Sequence, residues 1–241
     1  MNFLNKIMDL NQKIFLIKST EEINQKLYEL IENAEKRREE KKKYTRLDFN
    51  KEITDKKLTL YFTYLFGLRI SEALNSLENL YLHLQEKKTS EGLKYYILRS
   101  INLKQKRLSE KSIFFYPFDK YESKMWEFIE KNYYVGITKN LNRHKIKRFC
   151  SLWLRDKFIG YNKQGQEVIQ ESYLNPHTLR HLRALVLFER FKNEEMVRKM
   201  LGWSDTRMLY YYIRLARSIE ESELERKFLN FIPKRKEKVS L

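Results

Sequence analysis

Between residues 80 and 118 the apolar residues of the chain change their spacing, and this restricts the fold more than any other feature of the sequence. The segments LYLHL (80–84), LKYYILRS (93–100) and SIFFYPF (112–118) alternate with period two, and the polar EKKTSEG and the basic INLKQKRLSEK separate them. Period two is that of a strand with one buried face, and short polar spacers between such runs make the neighbours antiparallel. A small three-stranded antiparallel sheet is expected. On both sides the spacing returns to that of a helix, so the fold class is α+β and mainly helical.

The helical parts can be placed from their end signals. STEEINQKLYELIENAEKRREEKKK has a capping box, Ser19 with Glu22, followed by Ile23, Leu27, Leu30, Ile31 and Ala34 at helical spacing. It decays into a charged run from Glu35 to Lys43, the one plausible boundary. The chain therefore reads as an N-terminal helical segment, 1–43, and a main domain, 44–241. TDKKLTLYFTYLFG reads as a helix closed by Gly67, and RISEALNSL as a second helix directly after that turn. After the sheet, YESKMWEFIEK and NRHKIKRFCSLWLRDKF read as amphipathic helices and GYNKQGQE as a turn. Pro176 starts the helix HTLRHLRALVLFERF, and NEEMVRKML is a short helix capped by Asn193 and ended by Gly202. Cys150, beside Phe149 and near Trp153, is expected in the core.

Charge narrows the class of partner. The chain carries 49 Lys and Arg against 32 Asp and Glu, a formal net charge of +17. A surplus of that size attracts polyanions, nucleic acid before an acidic membrane surface, because each neutralised phosphate releases counterions. No run of about 18 apolar residues occurs, and Asn, Asp, Gln and Lys interrupt the N-terminus MNFLNKIMDLNQKIFLIKST, so neither a spanning helix nor a signal peptide is expected. With a single cysteine, Cys150, there is no internal disulfide framework, and the expected location is cytoplasmic.

Three short segments carry the candidate chemistry. GLRISEAL puts Arg69 and Glu72 three apart on a helix, where the carboxylate can hold the guanidinium. PHTLRH puts His177 and Arg180 three apart at a helix start, whose positive end adds to their attraction for an anion. LGWSDTRMLYYY supplies Trp203 and three consecutive tyrosines, Tyr210, Tyr211 and Tyr212. Successive helical residues point about 100° apart, so at most one or two of those rings can face one core. The others cover surface or do chemistry. Two arginines, a histidine, an indole N–H donor and a phenol suit attack on a phosphodiester, which builds charge on equatorial oxygens that guanidinium forks can hold. Taken singly, each residue has an ordinary reading: Arg69 and Arg180 as surface or ion-pair residues, Glu72 as a solvated helix residue, His177 as a cap, Trp203 as a core anchor. Their conjunction is what argues for a site.

Over roughly residues 45 to 230, these boxes resemble the first arginine box, the His-x-x-Arg box and the nucleophile box of the tyrosine recombinase (phage integrase) family, in that family's order. The resemblance implies a site-specific recombinase or integrase that cuts and rejoins double-stranded DNA through a 3′-phosphotyrosyl link, with no metal, ATP or other cofactor. It implies Tyr212 as nucleophile, nine residues after Trp203, with Tyr211 second and Tyr210 third. Arg69 and Arg180 would bind the scissile phosphate, His177 would assist proton transfer and Glu72 would support the first box. The family's lysine comes from the second hairpin of the sheet, here INLKQKRLSEK, which lacks the usual Lys-Gly turn; Lys104 is placed first and Lys106 second. Trp203 stands where most members have His, which resembles the Cre recombinase branch. The segment 1–43 would be a reduced or missing DNA-clamping domain, with a separate clamping protein as a possible accessory. The partners implied are DNA and further copies of the chain, a tetramer on DNA, with the C-terminal helix of 218–241 docking in cis or in trans. The competing readings are a non-cutting DNA-binding protein of the same fold, a type IB topoisomerase-like or resolvase activity, and a metal nuclease. For the last, Asp55, Asp119 and Asp156 show no ligand spacing.

Overall fold

A computed structural model describes residues 19–40, 47–101, 110–137, 140–161, 167–207 and 209–210. Four helices come first: α1 (Thr20–Glu40), α2 (Leu47–Leu65), α3 (Ile70–Glu78) and the single turn α4 (Leu80–His83). The strands β1 (Leu84–Lys88), β2 (Lys94–Ile101) and β3 (Glu110–Phe115) form an antiparallel sheet in the order β1-β2-β3. Helices α5 (Lys120–Asn132) and α6 (Arg143–Trp153) follow, then a separate hairpin of β4 (Arg155–Tyr161) and β5 (Glu167–Tyr173), and finally α7 (Pro176–Phe191) and α8 (Glu194–Met200). The mainly helical fold with a small three-stranded antiparallel sheet is as expected.

Helix α2 explains the architecture. From Leu58 to Leu65 every residue is buried, and a helix that is apolar on all sides has to be surrounded. It is wrapped by α3, α5 and α7. The apolar stripe of α1, with Ile23, Leu27, Leu30, Ile31 and Ala34, closes the same core, so residues 20–34 and the elements after residue 47 share one hydrophobic centre. The sheet adds its inner face. Leu98 pairs with Ile113 and Tyr96 with Phe115, and these four are buried, whereas Phe114 between them looks outward.

Helix starts follow local chemistry. Asp119 Oδ1 accepts from the amides of Tyr121 and Glu122 at 2.9 and 3.0 Å, Asn142 from His144 and Lys145 at 3.0 and 3.1 Å, and Asn193 from Met196 at 2.9 Å. Each cap satisfies donors that the first helical turn leaves without partners.

Three expectations are corrected. LYLHL is not the first strand: its first four residues form α4, and β1 runs through the polar Leu84–Lys88. An alternating strand would place Leu80 and Leu82 on one face, yet Leu80 is buried and Leu82 is 64% exposed. As an edge strand paired only with β2, β1 has little need of apolar side chains. The helix expected over NRHKIKRFCSLWLRDKF stops at Trp153, because the buried Leu154 leaves helical geometry and its carbonyl accepts from Leu174 N at 2.9 Å. GYNKQGQE is no simple turn, since its ends belong to β4 and β5, paired from Arg155↔Tyr173 to Tyr161↔Glu167. Cys150 is buried as expected, and burial pushes its thiol pKa up. Among the described residues no helix is long and apolar enough to cross a membrane.

Candidate active site

Two glycines bring the site together. At the end of α2, Gly67 takes φ +59, a left-handed conformation that ends helices cheaply only for glycine. A Cβ there would lie 2.6 Å from Leu201 Cδ2, so any side chain at 67 would force Leu201, in the segment after α8, to shift. Gly202, at φ +60, does the same on the other side. A Cβ on it would meet the Ser112 carbonyl at 2.9 Å and Lys111 Cβ at 3.1 Å, which seats the loop before Trp203 directly on β3. The start of α3, the start of β3 and the third box thus converge.

Glu72 lies at the centre. It is the third residue of α3, 1% exposed, and it reaches back to accept from Arg69 N at 3.1 Å, the reciprocal half of a capping box. The same carboxylate accepts from Arg69 Nη1 at 2.7 Å and from Lys111 Nζ at 3.0 Å, and Arg180 Nη1 lies 3.7 Å away. Burial works to raise the pKa of Glu72, but Lys111 and the Arg69 amide outweigh it and hold the carboxyl below its ordinary value. Glu72 is therefore ionised, and one negative charge faces three positive ones.

The three cations are held differently. Arg180, on α7, donates from Nη1 to the Gly67 carbonyl at 2.8 Å, and its guanidinium lies 4.5 Å over the Trp203 ring. That combination of hydrogen bond and cation–π contact fixes both its position and its plane. Arg69 retains 30% of its side-chain exposure and Lys111 only 9%. For Lys111 burial lowers the pKa, Glu72 opposes this, and Arg180 and Arg69 add to the lowering; the net direction is down. Arg69, Lys111 and Arg180 line one recess with Gly202, Trp203, Ser204 and Asp205. The Trp203 Nε1 donor is buried and meets no acceptor among the described residues.

Of the residues singled out in the sequence, Arg69, Glu72, Arg180 and Trp203 are brought together. His177 stands apart from the recess lining, exposed in the first turn of α7, its ring edge-on to His181 at 4.4 Å between centroids. Burial, then His177 and Arg180, push the His181 pKa down to about 3, so that ring is neutral near pH 7. Tyr210 is 55% exposed, and its hydrogen bond with Glu194 raises its phenol pKa. Lys104, Lys106, Tyr211 and Tyr212 lie outside the described residues.

Lys111 was missed. It ends the basic segment INLKQKRLSEK, but nothing in its spacing separates it from the lysines before it. Its role becomes visible only when β3 packs under Gly202. Among the described residues no group of three or more His, Cys, Asp or Glu is placed to hold a metal ion.

Two crystal structures of the XerH site-specific recombinase are similar to this chain. One is the post-cleavage complex with a palindromic difH substrate, at 13% identity and a TM-score of 0.46, covering 93% of this chain and 52% of that one. The other is the pre-cleavage complex with difH, at 15% identity and a TM-score of 0.46, covering 83% and 51%. The chain thus spans about half the length of those recombinases. No curated protein matches it significantly. The model of the phage integrase family matches residues 24–218, a span that holds all three boxes and the convergent cations, and the chain belongs to that family.

Proposed function

We propose that this chain cuts and rejoins double-stranded DNA at specific sites by transesterification. The observation that carries the reading is the recess in which Arg69, Lys111 and Arg180 surround the buried Glu72 carboxylate beside the Trp203 indole, with Asp205 of the same lining paired to Arg207. A phosphodiester supplies further negative charge, and its pentavalent transition state supplies more. The XerH structures hold recombinase on DNA before and after cleavage, and a comparable substrate is our proposal for this chain. A second grip on DNA comes from α6, whose exposed residues include Arg143, His144, Lys145, Lys147 and Arg148.

In this reading the Tyr212 hydroxyl attacks phosphorus. A P–O bond to Tyr212 forms as the bond to the 5′ oxygen breaks, and the phenol proton passes to His177 or solvent. The departing 5′ oxygen takes a proton from a lysine, leaving a 5′ hydroxyl and a 3′-phosphotyrosyl link. That 5′ hydroxyl, or one from a partner strand, reverses the step, so bond energy is conserved and no nucleotide is consumed. Arg69 and Arg180 hold the equatorial oxygens and Trp203 Nε1 donates one further hydrogen bond. Lys104 and Lys106 are candidates for the proton donor by their place in the hairpin. Lys111 is the candidate by geometry, and its lowered pKa makes it the readier acid. Exchange of four strands needs further copies of the chain.

The test is covalent trapping. Protein is incubated in EDTA with a library of nicked duplexes carrying randomised arms, and DNA that survives denaturation on protein is recovered. A linked band lost in Tyr212→Phe and kept in Tyr210→Phe supports the reading; loss in Tyr211→Phe instead moves the nucleophile by one residue. No linked DNA in any lane, with duplex binding retained, would leave a DNA-binding protein of this fold that does not cut.

A further inference from the structure

Arg183 takes no part in the proposed chemistry, yet it is completely buried. It stands three residues after Arg180 on α7 and reaches Glu122, with Nη1 donating to Oε1 at 2.7 Å and both side chains fully buried. Glu122 is itself held from two directions, by Asn24 Nδ2 of α1 at 3.0 Å and by the Phe118 amide at 3.1 Å. The guanidinium is therefore tethered to a point that α1 and α5 fix jointly.

The stem of the same side chain passes beside the active-site turn. A Cβ built on Gly67 would lie 3.7 Å from Arg183 Cγ, so the Arg183 side chain borders the open face of Gly67 in the turn between α2 and α3. That turn presents the Gly67 carbonyl to Arg180 Nη1 at 2.8 Å and begins α3 with Arg69 two residues on. One extended side chain thus connects the Glu122 anchor to the backbone that carries one phosphate-binding arginine and orients the other.

We infer that Arg183 is a positioning residue: pinned at its tip by Glu122, it braces the Gly67 turn and so sets the spacing of Arg69 and Arg180. The inference rests on the reading above for what those two arginines do. It differs from a stability role in what a substitution should change. Replacing a buried ion pair by apolar side chains of similar volume is often neutral or stabilising, so Met at 183 with an apolar residue at 122 can keep the fold. An unpinned thioether cannot hold the turn, and a displacement of about 1 Å at a reacting centre costs on the order of a hundredfold in rate.

The variants are Arg183→Met, the double variant Arg183→Met with Glu122→Leu, which leaves no unpaired carboxylate, and Arg183→Lys, which keeps the charge and most of the stem. Melting is measured first. Two readouts follow: the ¹⁵N resonances of the Arg180 guanidinium, assigned through Arg180→Lys, and the rate of covalent linkage at saturating duplex. In the wild type, restricted rotation should keep the Arg180 Nη1 and Nη2 lines apart. The expected result is a folded double variant whose lines merge and whose linkage rate falls tenfold to a hundredfold at unchanged duplex affinity, with most of the loss recovered in Arg183→Lys. Separate Nη lines in the folded double variant, or a wild-type linkage rate per folded molecule, overturn the inference. Absence of linkage in the wild type would count against the proposed function instead, and the guanidinium lines would still decide the role of Arg183.

Discussion

Helix α7 supplies arginines to two buried carboxylates, and the two neighbourhoods differ in their charge balance. Around Glu122 there are two anions, Glu122 and Asp119, and two cations, Arg183 and Arg190, with Asn24 bridging the carboxylates and the Tyr64 hydroxyl donating to Asn24 Oδ1. Around Glu72 three cations, Arg69, Lys111 and Arg180, meet one carboxylate at a recess whose other acid, Asp205, is paired with Arg207. The first arrangement balances its charges internally, since charges taken out of water have to be neutralised on the spot. The second gathers three cations around one buried carboxylate partly out of solvent, and in the proposed function the phosphodiester brings further negative charge to it. Charge imbalance, more than burial or the presence of arginine, separates the site from the scaffold.

Three changes would test that contrast, and the largest effect is expected at the balanced cluster. Glu122→Ala strands the fully buried Arg183 and should cost about 3–5 kcal/mol of folding stability, read as a large fall in the chemical or thermal midpoint. Unaltered stability would mean that Arg183 is not dependent on Glu122. At the unbalanced cluster the effect should move from stability to rate. Arg180→Ala removes a cation from a surplus, so melting should change little, while covalent linkage to DNA should slow by about 10²–10³-fold, the usual loss for one charge-stabilising donor. A variant that unfolds rather than slows would erase the distinction drawn here.

The smallest effect is a shift in a pH profile. Lysine donates a proton only while it is an ammonium, and burial puts the Lys111 pKa below its ordinary 10.5. Linkage should therefore be maintained at lower pH and lost as pH rises through that lowered value, earlier than a solvent-exposed lysine would allow. Glu72 is the neighbour that raises the Lys111 pKa, so Glu72→Gln should move this alkaline limb further down. A duplex with sulfur in place of the leaving 5′ oxygen, which needs no proton, should restore the rate of Lys111→Met. If it restores Lys104→Met and not Lys111→Met, the acid is Lys104.

Much of the site was legible because it is local. The i, i+3 pair Arg69 and Glu72, the helix start that carries Arg180, and the Gly-Trp step are all set by a few neighbouring residues, and their spacing survives any packing of the whole. Lys111 was not legible, because its importance comes from a contact with Glu72 across 39 residues that no periodicity records. The hairpin β4–β5 escaped for a related reason. RDKFIGY and EVIQESY do not alternate cleanly, and the two strands pair only with each other, outside the main sheet. LYLHL misled in the opposite way: alternation over five residues is too short a pattern to exclude a single helical turn, and burial of Leu80 decided between them.

By itself the sequence determined most of the longer helices and the cap at Asn193, the left-handed turn demanded at Gly67, the apolar stripe of α1, the presence of a small sheet and a charge of +17. Those depend on short-range sterics, hydrogen bonding and composition. Only the tertiary structure decided which cations share a carboxylate, that Arg180 meets a carbonyl 113 residues away, that Trp203 lies under its guanidinium, and in which direction Lys111 and His181 titrate. The reason is physical: contacts between distant segments and the desolvation of a charge exist only once the chain has excluded water around them, and both depend on the whole packed core rather than on any stretch of it.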